Sequence, residues 1–200
     1  MGKIIAVVGT TGVGKTALVR ALCKQGSFVP GLEQHKERPF QQVFKANPNY
    51  ALPNQIDYLL LRAEQERVLR QAEHTGLVDG GLDLDYHGFT RLFYSRGWLS
   101  KAEYNLCKRF YEFIRFNLPP PDLIIHLTAS PEVIFQRLAG RKRINIVDPK
   151  DIVKLASYLN IWLSTIPPSH LLRLDVSEDD PGYRRLLPAL LPKLLPYHIE

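Results

Sequence analysis

The chain has few sulfur-containing residues and no long apolar run, and both features limit the classes of protein to which it can belong. It carries two cysteines in 200 residues, Cys23 and Cys107, far apart and without metal-type pairing. This argues against a disulfide scaffold and for reduced thiols in the cytoplasm. The N-terminal run IIAVVG is too short for a signal peptide, and no segment approaches the roughly 20 apolar residues of a membrane span.

Internal repeats and a domain linker are also missing, so we expect one domain over residues 1–200. The apolar fraction of 45% and the charged fraction of 23% are ordinary for a globular protein. The formal net charge is +6 and the sequence pI is about 9.3. A basic chain suits anionic ligands, either nucleotides or nucleic acid, although a basic surface without a particular partner fits the charge equally well.

Short apolar runs predict five strands, in KIIAVVG, SFVPGLE, GLVDGG, PPPDLIIHLTA and HLLRLDV. The stretches around and between them predict helices over residues 15–24, 51–74, 86–96, 100–117, 130–138 and 148–164, and a short one in RPFQQVFKA. Because strands alternate with helices, the pattern predicts a parallel sheet between two helical layers. The tail RRLLPALLPKLLPY has a proline at every fourth position, which leaves a kinked helix and an extended strap both open.

The segment GTTGVGKT matches the phosphate-binding pattern G-x-x-x-x-G-K-[ST], between a predicted strand and a predicted helix. Its residues are Gly9, Thr10, Thr11, Gly12, Val13, Gly14, Lys15 and Thr16. The glycines let backbone N–H groups point at phosphate oxygens, Lys15 reaches the β- and γ-phosphates, and Thr16 offers its hydroxyl to Mg²⁺. We therefore predict a site for ATP and Mg²⁺.

A phosphate-binding loop does not specify the acceptor of the γ-phosphoryl group, which is water in an ATPase and a second substrate in a kinase. The guanine-binding pattern N-K-x-D is absent from the sequence, which argues against a GTPase. Motor ATPases are usually larger, so the short chain favours a small-molecule kinase.

Beyond this loop, the chain resembles the deoxynucleoside kinases, P-loop enzymes that phosphorylate the 5′-hydroxyl of deoxynucleosides. The resemblance runs from Lys3 to about Ile166 and depends on LEQHKERPF, VFKANPNYALPNQIDYLLLR, VDGGLDLDYHGFTRLFYSRGWLSKAEYNLCKRFYEFI and RLAGRKR. It places Glu33 on a glutamate after the second strand, Gln55 on a base-reading glutamine and Asp79 on an acid that ends the third strand. It also implies a three-layer P-loop fold, an arginine-rich lid, and a homodimer packed near the two long helices.

The chemistry of these positions agrees with the resemblance. A carboxylate at Glu33, beyond the carboxyl end of the second strand, can accept the proton of an attacking hydroxyl. Gln55 has one acceptor and two donors, enough for a base edge. Asp79 can hold Mg²⁺ together with Thr16, directly or through water.

Arginines and aromatic residues complete the predicted site. Arg141 and Arg143 would neutralise charge on the transferred phosphoryl group. Arg137, one helical turn earlier, would reach the same phosphates. Phe40, Phe44 and Tyr50 could stack on a base or belong to the core. We assign Phe44 and Tyr50, with Asn54 and Gln55, to the substrate site.

Three positions depart from the family pattern, and all three concern the acceptor. Gly80 stands where an arginine follows the acid. Ile146 stands in the place of a lid glutamate that binds the sugar 3′-hydroxyl, and Phe44 replaces a tyrosine that assists it. The phosphate-binding groups are therefore retained, whereas the expected sugar-binding groups are changed.

Two explanations stay open. In the first, the chain is a (deoxy)nucleoside kinase that binds the sugar through Arg91, Asp83 or Asp85. In the second, it acts on another acceptor, for example as a nucleoside monophosphate kinase, or it binds nucleotide without efficient catalysis. We expect a nucleoside or related small molecule as acceptor, and neither a stable nucleic-acid partner nor a membrane.

Overall fold

The computed structural model describes residues 1–26, 28–32, 38–139, 149–178 and 180–197. Its centre is a five-stranded parallel sheet with the strand order β2-β3-β1-β4-β5. The strands are β1 Ile4–Val8, β2 Phe28–Gly31, β3 Thr75–Asp79, β4 Leu123–Thr128 and β5 Leu171–Asp175. All five lie in the predicted apolar runs, and the predicted parallel sheet is confirmed.

Each face of the sheet is covered by its own set of helices, because side chains alternate between the faces of a strand. On β1, Ile5 and Val7 pack into an apolar cluster that includes residues of the first and last helices. Ile4, Ala6 and Val8 pack into a second cluster with residues from three other helices. The buried sheet between two helical layers confirms the predicted three-layer α/β fold.

The α-helices are α1 Lys15–Gln25, α2 Pro39–Ala46, α3 Ala51–Leu69, α4 Leu82–Leu84, α5 Arg91–Ser95, α6 Lys101–Asn117, α7 Pro131–Ala139, α8 Pro149–Leu163 and α9 Leu187–Leu194. A π-helical segment, Asp85–Thr90, joins α4 to α5 without a break. The predicted capping box of α6 is confirmed, with Ser100 and Glu103 bonded to each other's backbone N–H.

Two predicted helix boundaries are wrong. The helix predicted over residues 51–74 ends at Leu69, because the next carbonyl, of Arg70, accepts a hydrogen bond from the N–H of Gly2 (2.8 Å). The helix predicted from Tyr86 begins at Leu82, directly after the Gly80–Gly81 turn. Asp83 and Asp85 therefore lie on a helical segment, where both are buried.

The leucine- and proline-rich tail forms a short helix, α9, that contains Pro192. Its apolar face packs into the core on the side of the sheet that α1 covers, because Leu187, Leu190 and Leu194 belong to the same cluster as Leu18 and Leu22.

Two hydrogen bonds fasten the end of the tail to the start of the sheet. Thr75 Oγ1 donates to the carbonyl of Tyr197, and Lys3 Nζ donates to that of Pro196 (2.6 Å). In the described ranges, no helix is long and apolar enough to cross a membrane.

A buried ionic cluster ties α3, α4 and α6 together. The guanidinium of Arg115 contacts Glu66 Oε1 at 2.9 Å and Asp83 Oδ2 at 2.6 Å. Tyr111 donates its hydroxyl proton to Asp83 Oδ1 (2.6 Å). With both carboxylates paired, the cluster fixes α4 and the π-helical segment against the long helices.

Candidate active site

The phosphate-binding loop connects the buried strand β1 to α1, as its sequence predicts. Lys15 is the first residue of α1, and its Nζ donates to the carbonyl oxygens of Gly9 (3.1 Å) and Thr10 (3.0 Å). The ammonium group is thus held over the loop. Together with the positive end of the α1 dipole, this makes the loop an anion-binding site.

Thr16 and Asp79 meet beside the loop. Asp79 is the last residue of β3 and pairs in register with Val7 of β1, so its side chain lies at the carboxyl edge of the sheet. Thr16 Oγ1 donates a hydrogen bond to Asp79 Oδ2. Hydroxyl and carboxylate oxygens are ligands that Mg²⁺ prefers, usually in small number and with substrate phosphates completing the shell. The pair therefore fits the predicted Mg²⁺ site.

Two side chains from distant parts of the chain hold the loop's carbonyl groups. Arg137 of α7 donates from Nη1 to the carbonyl of Val13 (3.0 Å) and from Nη2 to that of Val176 (2.8 Å). Tyr183 donates its hydroxyl proton to the carbonyl of Gly14 (3.2 Å). Burial raises the pKa of Tyr183, so its hydroxyl remains a donor at neutral pH.

Gly14 is required by this arrangement. Its φ is +114°, and a Cβ at this position would lie 2.2 Å from the hydroxyl oxygen of Tyr183. Sequence reasoning missed Tyr183, because nothing local marks a tyrosine 169 residues away as a partner of the loop.

A second concave site lies between α2, α3 and the π-helical segment. The cavity is lined by Gln41, Asn54, Gln55, Tyr58, Asp85, Phe89 and Phe93. Gln55 Nε2 donates to the carbonyl of Asp85 (3.1 Å), and Arg62 Nε donates to its carboxylate Oδ2 (2.8 Å). Both charged side chains are almost fully buried. Polar groups with fixed orientation between aromatic walls form a site suited to a flat, polar ring.

The cavity contains some of the predicted substrate residues and omits others. Gln55 and Asn54 line it. Phe44 instead packs against Phe93 and Trp98, with ring centroids 4.9 and 5.4 Å apart, so it supports the cavity wall from behind. Tyr50 lies in a short 3₁₀ segment, is 41% exposed, and is not among the lining residues.

Arg62, Phe89 and Phe93 were missed by sequence reasoning. Phe89 and Phe93 stand four residues apart, which is helical spacing, and this was the available signal.

Three predicted catalytic residues, Glu33, Arg141 and Arg143, lie outside the described residues, as does Ile146. Gly80 is described, and its φ of +87° is a backbone conformation that glycine adopts readily and other residues rarely do.

Comparison with known proteins agrees with this geometry. A deoxyadenosine/deoxycytidine kinase of Bacillus subtilis (strain 168) is 28% identical over 144 residues, which are 70% of this chain and 66% of the relative. A deoxyadenosine kinase of Dictyostelium discoideum is 33% identical over 144 residues, 71% of this chain and 58% of the relative. The matched region thus spans about three fifths to two thirds of these two relatives.

A solved structure has the same fold. The structure of deoxyadenosine kinase from M. mycoides with bound dCTP superimposes with a TM-score of 0.77 at 21% identity, covering 94% of this chain and 98% of that one. The family model described as deoxynucleoside kinase matches residues 5–183. The resemblance in the sequence is thereby confirmed: the chain belongs to the deoxynucleoside kinase family.

Proposed function

We propose that the protein transfers the γ-phosphoryl group of ATP to the 5′-hydroxyl of a (deoxy)nucleoside and releases the nucleoside 5′-monophosphate. One observation carries the proposal: a Cβ on Gly80, the residue after Asp79, would lie 3.6 Å from Arg62 Nη2, and the guanidinium of Arg62 pairs with Asp85 in the polar cavity. This contact supports a site for a flat ring that adjoins the site for the phosphates. This arrangement supports transfer between two bound molecules.

The relatives' names suggest the acceptor. The matched bacterial proteins are named deoxyadenosine/deoxycytidine kinase and deoxyguanosine kinase, and the Dictyostelium protein deoxyadenosine kinase. We propose a deoxynucleoside of this group, with Gln55, Arg62 and Asp85 contacting the base. These side chains offer both donors and acceptors to a base edge.

For the chemistry, we assign to Glu33 the role of accepting the proton of the 5′-hydroxyl. Lys15, Arg141 and Arg143 would neutralise charge on the phosphoryl group during transfer. Thr16 and Asp79 would hold Mg²⁺, which when bound offsets the charge of the phosphates. Within the described residues, no cluster of three or more His, Cys, Asp or Glu side chains could hold a metal, so the phosphates would supply further ligands.

The rest of the donor nucleotide would lie beyond β5. A depression there is lined by Asp175, Val176, Glu178, Asp180, Tyr183, Arg185 and Leu186. Tyr183 also donates a hydrogen bond to the carbonyl of Gly14 in the loop. Arg137 donates to the carbonyls of both Val176 and Val13. Two residues of the depression are therefore connected to the phosphate-binding loop by hydrogen bonds, and we propose the depression as the place of the donor's sugar and base.

Two alternatives predict different outcomes. Gly80, in the place of the family's arginine, favours a chain that binds nucleotide with weak catalysis. A nucleoside monophosphate kinase would use the same loop with a different acceptor. A panel assay of ADP release with deoxynucleosides and their monophosphates separates them: deoxynucleosides should stimulate turnover most, and a stronger response to monophosphates would contradict the proposal.

The assigned base is tested with Glu33→Gln. This change should reduce turnover far more than ATP affinity, because the amide cannot take up the proton. If turnover and ATP affinity fall in parallel, Glu33 contributes to ATP binding and is not the base.

We also propose a homodimer, formed through α3 and α6. These helices pack against each other and carry large apolar side chains on their exposed side: Leu60, Val68, Leu106, Phe113 and Phe116. Phe113 is 68% exposed and Phe116 is 89% exposed, which is costly for a monomer in water. The leucines of α9 that pack on the chain's own core are not available to this interface.

Light scattering on the purified protein tests the dimer. The wild type should have twice the mass of the chain, and Phe113→Glu should have the mass of one chain. The matched control is Val153→Glu on α8, at a side chain that is 69% exposed and distant from α3 and α6 in the sequence. A wild-type monomer, or a dimer lost equally in both variants, would contradict this interface.

We also propose that the protein is cytoplasmic, as its two widely spaced cysteines predict.

A further inference from the structure

Asn54 has a buried acceptor that no described residue satisfies. It lies on α3, is 3% exposed, and lines the cavity next to Gln55. Its Oδ1 is buried and makes no hydrogen bond to any described residue. Most buried polar side-chain atoms have a partner, because leaving one without a partner costs free energy. Because Asn54 also lines the cavity, a ligand bound there is the candidate for the missing partner.

The surroundings define what kind of ligand atom could serve. An amide oxygen accepts hydrogen bonds, so the ligand must bring an N–H or O–H donor. Phe89 and Phe93 line the same cavity, which suits the plane of a base. The Arg62–Asp85 pair and the Gln55–Asp85 hydrogen bond lie beside it. A polar edge of the base therefore faces this side of the cavity.

We propose that Asn54 Oδ1 accepts a hydrogen bond from the exocyclic amino group of the acceptor base. This inference rests on the proposed function and adds a residue that selects among its substrates. Adenine, cytosine and guanine carry such a group, with two N–H donors, whereas thymine does not. Asn54 thus favours amino-bearing bases, and it acts in addition to Gln55.

A purely structural role does not account for Asn54. Asparagine is a weaker helix former than leucine, and the residue lies inside the first two turns of α3. Replacing a buried polar group that has no partner by an apolar one of similar shape is neutral or stabilising. The free protein would therefore be at least as stable with leucine here, and the asparagine is explained by what it does for the bound substrate.

The test combines Asn54→Leu with removal of the amino group from the ligand. Calorimetry gives Kd for deoxyadenosine and for purine 2′-deoxyriboside, which lacks the 6-amino group. In the wild type, loss of the amino group should weaken binding about tenfold, the size of one hydrogen bond. In Asn54→Leu, deoxyadenosine should bind about tenfold more weakly, and removal of the amino group should have little further effect.

Controls separate this role from a change in folding. The melting temperature of ligand-free Asn54→Leu should equal or exceed that of the wild type. Asn54→Ala, which adds no volume, should give the same pattern of Kd values. Asn160→Leu makes the same chemical change at an exposed position of α8 and should leave every Kd unchanged.

Specific outcomes overturn the inference. If Asn54→Leu and removal of the amino group each raise Kd by factors that simply multiply, Asn54 does not contact the amino group. Non-additivity with a 3′-deoxy analogue instead would assign Asn54 to the sugar. Because Kd is measured without turnover, a wild type that binds deoxyadenosine through its amino group but forms no monophosphate refutes the proposed reaction and leaves the inference intact.

Discussion

The turn after β3 has a backbone that disfavours a side chain at Gly80, where the family pattern has an arginine, and at Gly81. Gly80 has φ +87°, and Gly81 has φ +86° with ψ 177°, a region populated essentially by glycine alone. A Cβ at Gly80 would also approach Leu84 Cδ2 to 3.2 Å, and Arg62 Nη2 to 3.6 Å. An arginine at Gly80 would therefore start in a disfavoured conformation, next to a buried guanidinium.

We predict that Gly80→Arg destabilises the protein by about 2 kcal/mol, and that adding Gly81→Ser brings the loss to about 4 kcal/mol. Each disfavoured backbone conformation costs roughly 1–3 kcal/mol. Neither variant should raise kcat/KM for a deoxynucleoside. The reason is that the conformation of this turn does not direct a guanidinium at position 80 toward the acceptor.

Guanidinium-induced unfolding measures the free energies, and Gly97→Ala is the matched control. Gly97 has φ +71°, and a Cβ added there would have no heavy atom within 4 Å. This variant therefore measures only the cost of placing a side chain on a left-handed backbone, about 1 kcal/mol. A double variant as stable as the wild type, or one with clearly higher kcat/KM, would refute this account of the turn.

Three further predictions concern the loop, the metal site and the sheet. Tyr183→Phe should raise KM for ATP several-fold and leave KM for the nucleoside unchanged; equal changes in both would contradict the role of its hydroxyl. Asp79→Asn should raise the Mg²⁺ concentration needed for half-maximal turnover about tenfold or more, and an unchanged Mg²⁺ titration would refute the assignment. Burial, and then Arg173, lower the pKa of His126 to about 4 from 6.5. The unfolded chain therefore binds more protons between these pH values, and stability should fall by about 3 kcal/mol as the pH drops from 6.5 to 4. His126→Gln should flatten this fall in unfolding experiments, and an unchanged pH profile would contradict it.

The sheet and the phosphate-binding loop were predictable because their signals are local. The buried strands are continuous apolar runs, and the spacing of Gly9, Gly14, Lys15 and Thr16 within eight residues is itself the requirement of the site. The position of Asp79 followed from the parallel sheet, because β1 and β3 end at the same edge. These features needed no knowledge of distant contacts.

Long-range contacts produced the features that were missed. Tyr183 reaches Gly14 because its own 3₁₀ segment, Pro181–Tyr183, packs against α1, and nothing in the sequence predicts this contact. The sequence pattern places Arg62 on a helix without marking it as a site residue. It pairs with Asp85 because the π-helical segment brings the Asp85 carboxylate opposite it. Such a segment has no simple sequence pattern, so Gln55 and Asn54 were predicted, whereas the Arg62–Asp85 pair beside them became visible only in three dimensions.

The reaction itself is tested by quantifying its products. The protein is incubated with ATP, Mg²⁺ and deoxyadenosine, and ADP, inorganic phosphate and deoxyadenosine 5′-monophosphate are measured in the same sample. We predict that ADP and the monophosphate appear in equal amounts, with inorganic phosphate at background. ADP accompanied by an equal amount of inorganic phosphate, with no monophosphate, would contradict phosphoryl transfer to the nucleoside.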